Sequence, residues 1–387
     1  LPDAGAPADS DLRRPLPSGP ALPAQPASDP ADFRPGSVWR LTGEKWFASN
    51  ADADVALALA RPEGAPAGTA GLALFLIPRH LPDGSRNQIR IRRLKEKLGV
   101  IAVASGEVLL EGAEAYLIGG PGNGFKMMME GINLSRIYNI IGSAGICRRA
   151  ALESVIYTSR RIAFGKPLIE QPLMRLKLLQ MIVEWKAATT LAFRTAHAYE
   201  SDDPFHRLLI PVAKARTADQ SVRLARAGIE CHGGNGYIEE YPMARLLRDA
   251  QVLTVWEGPE NVLALDFLRV LAKGGPAPFL DAMEAALSEA TAHGAPKTAV
   301  DALRTRLTTY MGELTEIASA TPERAQVGAL RLLHGMADLL TGAYLLAEVE
   351  TPQGAQIAQL YCERFQPTPA LWDEAALDWF DGILTEV

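Results

Sequence analysis

The apolar pattern of this 387-residue chain changes period at Gly120-Pro121-Gly122-Asn123-Gly124. Glycine and proline at this density suit neither a helix nor a strand interior, so the run divides two kinds of structure. Before it, short apolar runs alternate with breakers such as Pro62-Glu63-Gly64 and Pro78. Val38-Trp39-Arg40-Leu41, Lys45-Trp46-Phe47, Val55-Ala56-Leu57-Ala58-Leu59, the run 72–77, Ile89-Arg90-Ile91 and Glu107-Val108-Leu109-Leu110 read as strands. After it, 125–160, 173–200 and 205–231 hold few breakers and read as helices, with Met127, Ile132, Leu134, Ile140, Ile141 and Ala144 on a broad apolar face of the first. Shorter helices are predicted at 242–250 and 260–272. Beyond Gly274-Gly275-Pro276-Ala277-Pro278, residues 279–387 read as a further helical region with Leu330, Leu332, Leu333, Met336, Leu339 and Leu340 as core.

The expected class is therefore α+β. A small antiparallel β domain at 37–118 precedes a C-terminal four-helix-bundle-like domain at 121–272 and a helical extension at 279–387. Residues 1–36 hold nine prolines and seven alanines, and the expectation there is a disordered or extended arm without helix or sheet.

Composition narrows the function. A chain 48% hydrophobic and 22% charged suits a soluble protein of two or three domains. The net charge of −6 does not favour a nucleic-acid partner, and residues 271–387 carry seven Lys/Arg against sixteen Asp/Glu. Cys147, Cys231 and Cys362 are far apart and the six histidines form no HxxxH or HxH pair, so no metal site and no disulfide framework is expected. No apolar run approaches the ~18 residues of a membrane span. No basic start followed by an apolar block opens the chain. A cytoplasmic protein with no membrane partner is expected.

Five stretches could carry chemistry. Glu257, in Val255-Trp256-Glu257-Gly258, is a lone carboxylate on a turn beside apolar residues, a setting that can turn a carboxylate into a base. It could equally serve the dipole of the helix at 260–272. In Cys231-His232-Gly233-Gly234-Asn235-Gly236-Tyr237 the glycines would admit a flat or phosphorylated ligand, or simply end a helix. In the run 161–167, Arg161 could grip a pyrophosphate and Phe164 could stack on a ring; an ordinary surface arginine and core phenylalanine are the plainer account. Lys45-Trp46-Phe47-Ala48-Ser49-Asn50 reads as a strand ending in a turn. Arg136, in Asn133-Leu134-Ser135-Arg136, could bind an anion or pair with a buried acid.

Taken in order, these motifs resemble the acyl-CoA dehydrogenase family, a group of FAD enzymes, over about 38–270. The tryptophan and spacing of the carboxylate motif look closest to its alkylation-response (AidB-like) branch. The resemblance implies that Glu257 removes the α-proton of an acyl-CoA thioester while the β-hydrogen leaves as hydride to flavin N5, giving the 2,3-enoyl-CoA. It implies Phe47 and Ser49 on the flavin, Arg161, Phe164, Gly233 and Gly234 on the FAD of a neighbouring subunit, Asn261 on the cofactor and Arg136 on the acyl-CoA. An electron-transferring flavoprotein as acceptor and a homodimer or homotetramer follow from the same resemblance.

The chain departs from the family at Asn133 for an acid, Glu230 for a glutamine, Trp256 for a tyrosine and Pro259 for a threonine. By this reading the family's N-terminal helical domain is expected to be missing, with 1–36 in its place. Two alternatives accompany the dehydrogenase reading: an AidB-like DNA-binding protein, which the acidic 271–387 opposes, and a non-catalytic truncated homologue.

Overall fold

The computed structural model describes residues 22–27, 34–120, 122–365 and 379–386. It is α+β, 62% helical, with a small β domain followed by a helical bundle. The chain divides into two compact units. One holds residues up to Glu96 and Ala102–Glu130, and the other holds Lys97–Ile101 and Gly131 onward.

The first unit is built on strands β1 (Leu22–Pro26), β2 (Val38–Ala48), β3 (Val55–Pro62), β4 (Ala73–Pro78), β5 (Ile89–Leu94) and β6 (Gly106–Ile118). The sheet order is β2-β1-β3-β4-β6-β5, and β2 also pairs with β6, so five strands close into a ring with β5 outside it. Pairing is antiparallel except between β1 and β3. Alternate residues point inward: Trp39 and Leu41 are buried while Arg40 between them is exposed. Trp39 packs on Phe75, ring centroids 5.7 Å apart, in a core with Ile77, Leu110 and Leu117. Register shifts at Leu41/Thr42 and Lys45/Ala48 let the long β2 bend against β6.

Strand β1 corrects the expectation of an arm without sheet over 1–36. Its prolines, Pro23 and Pro26, are tolerated because β1 pairs on both sides only at Ala24. Leu22–Ala24 lie against β3 and Ala24–Pro26 against β2. A proline that needs no second-side donor can sit in such a strand. The remainder of 1–36 lies outside the described residues except Ala27 and Arg34–Gly36.

The helices are α1 (Gly124–Arg160), α2 (Pro172–Glu200), α3 (His206–His232), the short α4 (Gly234–Tyr237), α5 (Pro242–Leu253), α6 (Glu260–Gly274), α7 (Ala277–Ala292), α8 (Lys297–Ala318), α9 (Pro322–Ala347), α10 (Pro352–Cys362) and α11 (Phe380–Leu384). A two-stranded hairpin, β7 (Ile162–Ala163) and β8 (Lys166–Pro167), follows α1. Prolines 172, 242, 322 and 352 stand at the first helical turn, where a missing N–H costs nothing. Thr321 and Thr351 cap α9 and α10 by accepting from the backbone N–H groups of Arg324 and Gly354. Phe267, Phe279, Tyr310, Tyr361 and Phe380 fill one core that continues from α2 and α3 into α9 and α10. Tyr310 enters it with its hydroxyl donated to the Leu332 carbonyl at 2.7 Å. Among the described residues, no helix is long and apolar enough to cross a membrane.

Candidate active site

Glu257 lies on the turn between α5 and α6, and the turn is held from several sides. The amides of Val255 and Trp256 both donate to the Val252 carbonyl at 2.9 Å, closing the end of α5. Glu257 then takes the left-handed region at φ 56, and Gly258 follows at φ 108. Pro259, at φ −58, leads into α6. A left-handed glutamate costs of the order of 1 kcal/mol and persists only where its surroundings impose it.

Those surroundings are α1 and α3. Ser135 Oγ donates to one Glu257 carboxylate oxygen at 2.9 Å, and Asn139 Nδ2 donates to the other at 2.9 Å. The two donors are four residues apart and so share one face of α1. Between them, Arg136 turns to the backbone and donates from Nε to the Glu257 carbonyl at 3.0 Å. Lys214, on α3, donates from Nζ to the next carbonyl, that of Gly258, at 2.9 Å.

Charge balance at the site rests on Asp266. Its carboxylate accepts from Arg136 at 2.9 Å, Arg207 at 2.8 Å and Arg269 at 3.2 Å. Burial alone would raise the Asp266 carboxyl, but hydrogen bonds and charge from Arg207 and Arg136 outweigh it and hold the group below the usual carboxylate range. Lys214 is buried, and desolvation lowers it to about 8, against the upward pull of the Glu257 carboxylate. Glu260, at the start of α6, bonds to His334 of α9 at 2.6 Å.

Arg136 is buried, and its hydrogen bonds go to Glu257, Asn133 and Asp266. Asn261 is exposed on the first turn of α6. Arg161 is exposed where α1 gives way to the β7–β8 hairpin. Phe164 and Gly165 form the hairpin tip with φ 53 and φ 83, both positive as a tight two-residue hairpin turn requires, and the Phe164 ring is 91% exposed.

The glycine turn after α3 has two distinct kinds of glycine. Gly233 is left-handed at φ +60, and a Cβ on Gly233 or Gly234 would meet nothing within 4 Å. A Cβ on Gly236 would lie 2.5 Å from the Ile229 carbonyl oxygen. Beneath the turn, Asn235 Nδ2 donates to the hydroxyls of Tyr157 at 3.0 Å and Tyr241 at 3.2 Å, and His232 stacks on Tyr157 at 4.3 Å. Glu230, just before it, is paired with Lys177 and Arg226 at 3.1 Å each.

In the β unit, Phe47 and Ser49 are exposed at the end of β2, and the Phe47 ring is 70% exposed. Both line a cleft of about 620 Å³, together with Lys45, Leu57, Ile91 and Met128. Lys95 Nζ lies 3.1 Å from the centre of the Trp46 ring and 4.8 Å from that of Phe47. Among the described residues, no group of three His, Cys, Asp or Glu is placed to hold a metal ion.

Sequence reasoning missed Ser135, Asn139, Lys214 and Asp266. The first two had a legible signal, polar residues four apart on a helix. Lys214 lies in the small, apolar stretch Val212-Ala213-Lys214-Ala215, where a lone cation is the feature to notice.

Comparison with known proteins gives the family of the fold. The model described as acyl-CoA dehydrogenase, middle domain, matches residues 24–113, and that described as acyl-CoA dehydrogenase, C-terminal domain, matches 122–272. Acyl-CoA dehydrogenase family member 11 of Caenorhabditis elegans is 40% identical over 248 residues, 61% of this chain and 40% of that protein. Putative acyl-CoA dehydrogenase AidB of Escherichia coli is 38% identical over 240 residues, covering 61% and 43%. The crystal structure of C. elegans ACDH-11 in complex with C11-CoA superposes with a TM-score of 0.82 at 30% identity, covering 95% of this chain and 64% of that one.

The fold and the two matched domains define an acyl-CoA dehydrogenase architecture. The chain belongs to the acyl-CoA dehydrogenase family, whose members bind FAD. It spans about 40% of the length of the two curated relatives.

Proposed function

We propose that the protein is an FAD-dependent acyl-CoA dehydrogenase in which Glu257 takes the α-proton of an acyl-CoA thioester and the product is the 2,3-enoyl-CoA. The observation that carries this is the Glu257 carboxylate, with one donor fixed on each oxygen by Ser135 and Asn139. Two bonds fix the plane of the group and leave lone pairs free to accept a proton, as a general base requires. The abstracted proton then resides on Glu257.

The exposed groups suit a flavin dinucleotide. Phe47 offers a ring face and Ser49 a hydroxyl; Arg161 offers a guanidinium for a pyrophosphate and Phe164 a second ring. Gly233 and Gly234 leave open backbone that a cofactor can approach closely. Asn261 adds an exposed amide. Bound FAD would supply the acceptor for the β-hydrogen and its electron pair. Arg136 serves the acyl-CoA reaction by holding the Glu257 turn through Nε, while its Nη1 is engaged by Asn133 and Asp266.

The C11-CoA in the C. elegans structure supports an acyl-CoA substrate. An electron-transferring flavoprotein as acceptor and a homodimer or homotetramer complete the reading by family analogy. Three buried free cysteines suit a reducing compartment such as the cytoplasm.

The visible absorbance of the purified chain with added FAD tests the proposal. Flavin bands that bleach on adding an acyl-CoA, and persist in Glu257→Gln, are expected. Bands that form but never bleach would sink the dehydrogenase reading for this chain, and no flavin band at all would favour the non-catalytic homologue.

A further inference from the structure

The Glu257 turn poses a physical problem that its own residues do not solve. Glu257 is left-handed without being glycine, asparagine or aspartate, the residues that tolerate this region best. The turn is followed by Pro259, which has no N–H to give. Its conformation must be imposed from outside.

Two buried cations do this. Arg136 Nε and Lys214 Nζ donate to the successive carbonyls of Glu257 and Gly258, at 3.0 and 2.9 Å. Arg136 comes from α1 and Lys214 from α3, so the two peptide groups are fixed from different helices. Arg136 is itself neutralised by Asp266 at 2.9 Å. No salt bridge to Lys214 is found among the described residues. An ammonium ion buried on a peptide carbonyl without a carboxylate in salt-bridge contact is costly to the fold.

Resting on the dehydrogenase reading, we propose that Lys214 is a positioning residue for that reaction: through the Gly258 carbonyl it fixes the left-handed turn that aims the Glu257 carboxylate. It touches neither substrate nor reacting atoms. The charged groups facing Lys214 are Glu257 on the turn, Arg136 on α1 and Glu260 on α6, the two carboxylates raising its value and the guanidinium lowering it. His334 on α9 faces Glu260.

Lysine suits this place better than a neutral donor for two reasons. An ammonium carries three N–H donors on a long, flexible stem, so it reaches a carbonyl across a helix–turn gap. Hydrogen bonds from a charged donor are also about twice as strong as neutral ones. Arginine at 214 would keep the charge and the donors and is therefore the rescuing replacement.

The test uses the whole chain and needs neither flavin nor substrate. Amide hydrogen exchange is followed in a peptide spanning residues 253–262 for the unmutated chain, Lys214→Met and Lys214→Arg, with thermal melts to confirm folding. Exchange in that peptide is expected to rise about tenfold in Lys214→Met, to return to within about twofold in Lys214→Arg, and to stay unchanged in α8 and α9. Unchanged exchange in a folded Lys214→Met would overturn the proposal. Should that variant not fold, a crystal structure of the unmutated chain decides: Lys214 Nζ away from the Gly258 carbonyl, or residue 257 outside the left-handed region, would overturn it equally.

If the chain also turns over acyl-CoA, kcat should fall about 10- to 100-fold in Lys214→Met with KM within about twofold, and Lys214→Arg should recover most of it. A chain that never turns over would defeat the dehydrogenase reading and leave the exchange result to judge Lys214 by itself.

Discussion

Arg136 of α1 and Asp266 of α6 form an ion pair of 2.9 Å in which the two side chains are only 4% and 5% exposed. The pair joins the helix that supplies Ser135 and Asn139 to the helix that starts beyond the Glu257 turn. Two further arginines reach Asp266 from its more exposed side. Removing the acid therefore leaves Arg136 buried without its counter-charge. Asp266→Asn is expected to cost about 3–5 kcal/mol of stability in urea unfolding near neutral pH. A loss below about 1 kcal/mol would show that the pair matters little. The sign with pH follows from the lowered carboxyl. The contribution is fully present above the unfolded value of about 3.9 and is lost as pH falls through the lower folded value. The difference between the unmutated chain and Asp266→Asn should therefore shrink on acidification.

Ser135 and Asn139 hold the carboxylate itself. Ser135→Ala and Asn139→Ala each free one oxygen to swing, while the acyl-CoA contacts stay as they were. For each, kcat is expected to fall about 10- to 100-fold with KM within about twofold, the pattern of a misplaced group. Steady-state kinetics with one acyl-CoA checks this. A rise in KM at unchanged kcat would move both residues from aiming the base to binding substrate.

The long helices were legible because their sequences lack breakers. The expected 173–200 and 205–231 lie within a residue of α2 and α3 at each end. The strands from Val38 onward were legible from short apolar runs set off by breakers such as Pro62-Glu63-Gly64 and Pro78. Strand β1 was not, because two prolines in five residues argue against a sheet until one sees that each is paired on one side only. In the site, Glu257 stood out because a carboxylate beside Trp256 and Gly258 is an unusual local combination. Its partners did not, because they meet only through packing: Ser135 and Asn139 bond a residue 122 and 118 positions away. Lys214 is set apart in one dimension only by the small, apolar residues around it, Val212, Ala213 and Ala215. Its burial, and its bond to the Gly258 carbonyl of the Glu257 turn, come from packing.

Lys214 also gives the chain an alkaline signature. Burial lowers its folded value to about 8, whereas the unfolded value lies near 10.4. Between these values the unfolded chain binds more protons than the folded chain, so rising pH favours folding over that window. Lys214→Met has no such group. The stability of the unmutated chain relative to Lys214→Met is therefore expected to improve from pH 8 to pH 10.4 and to be flat below about pH 7. Urea midpoints of both proteins at three pH values would reveal it, and a difference that does not change with pH would refute a depressed Lys214.

Charge argues against the DNA-binding alternative raised by the sequence, at least for the helical extension. Residues 271–387 hold sixteen acidic against seven basic side chains. Affinity for duplex DNA grows with phosphates neutralised by Lys and Arg, and an acidic surface adds repulsion. No retention of the chain on duplex DNA is expected at ~150 mM salt. Retention that weakens steeply between low and moderate salt would contradict this and point to a basic surface outside the extension.

The glycine turn separates a folding role from a cofactor role within three residues. Gly236 is packed against the chain behind it: a Cβ would lie 2.5 Å from the Ile229 carbonyl oxygen and 2.8 Å from its Cα. Backbone atoms cannot swing aside, so Gly236→Ala is expected to destabilise the protein by about 1–3 kcal/mol. Gly234 is the opposite case, helical and with nothing within 4 Å of an added Cβ. Gly234→Ala should leave thermal stability nearly unchanged. If the open backbone at Gly233 and Gly234 is where FAD approaches, the same methyl group should weaken FAD affinity about tenfold or more, since a close backbone contact has no room for it. Thermal melts and FAD titration by flavin fluorescence measure the two effects separately. A Gly234→Ala protein that binds FAD as tightly as the unmutated chain would remove this turn from the cofactor site, whatever Gly236→Ala does to the fold.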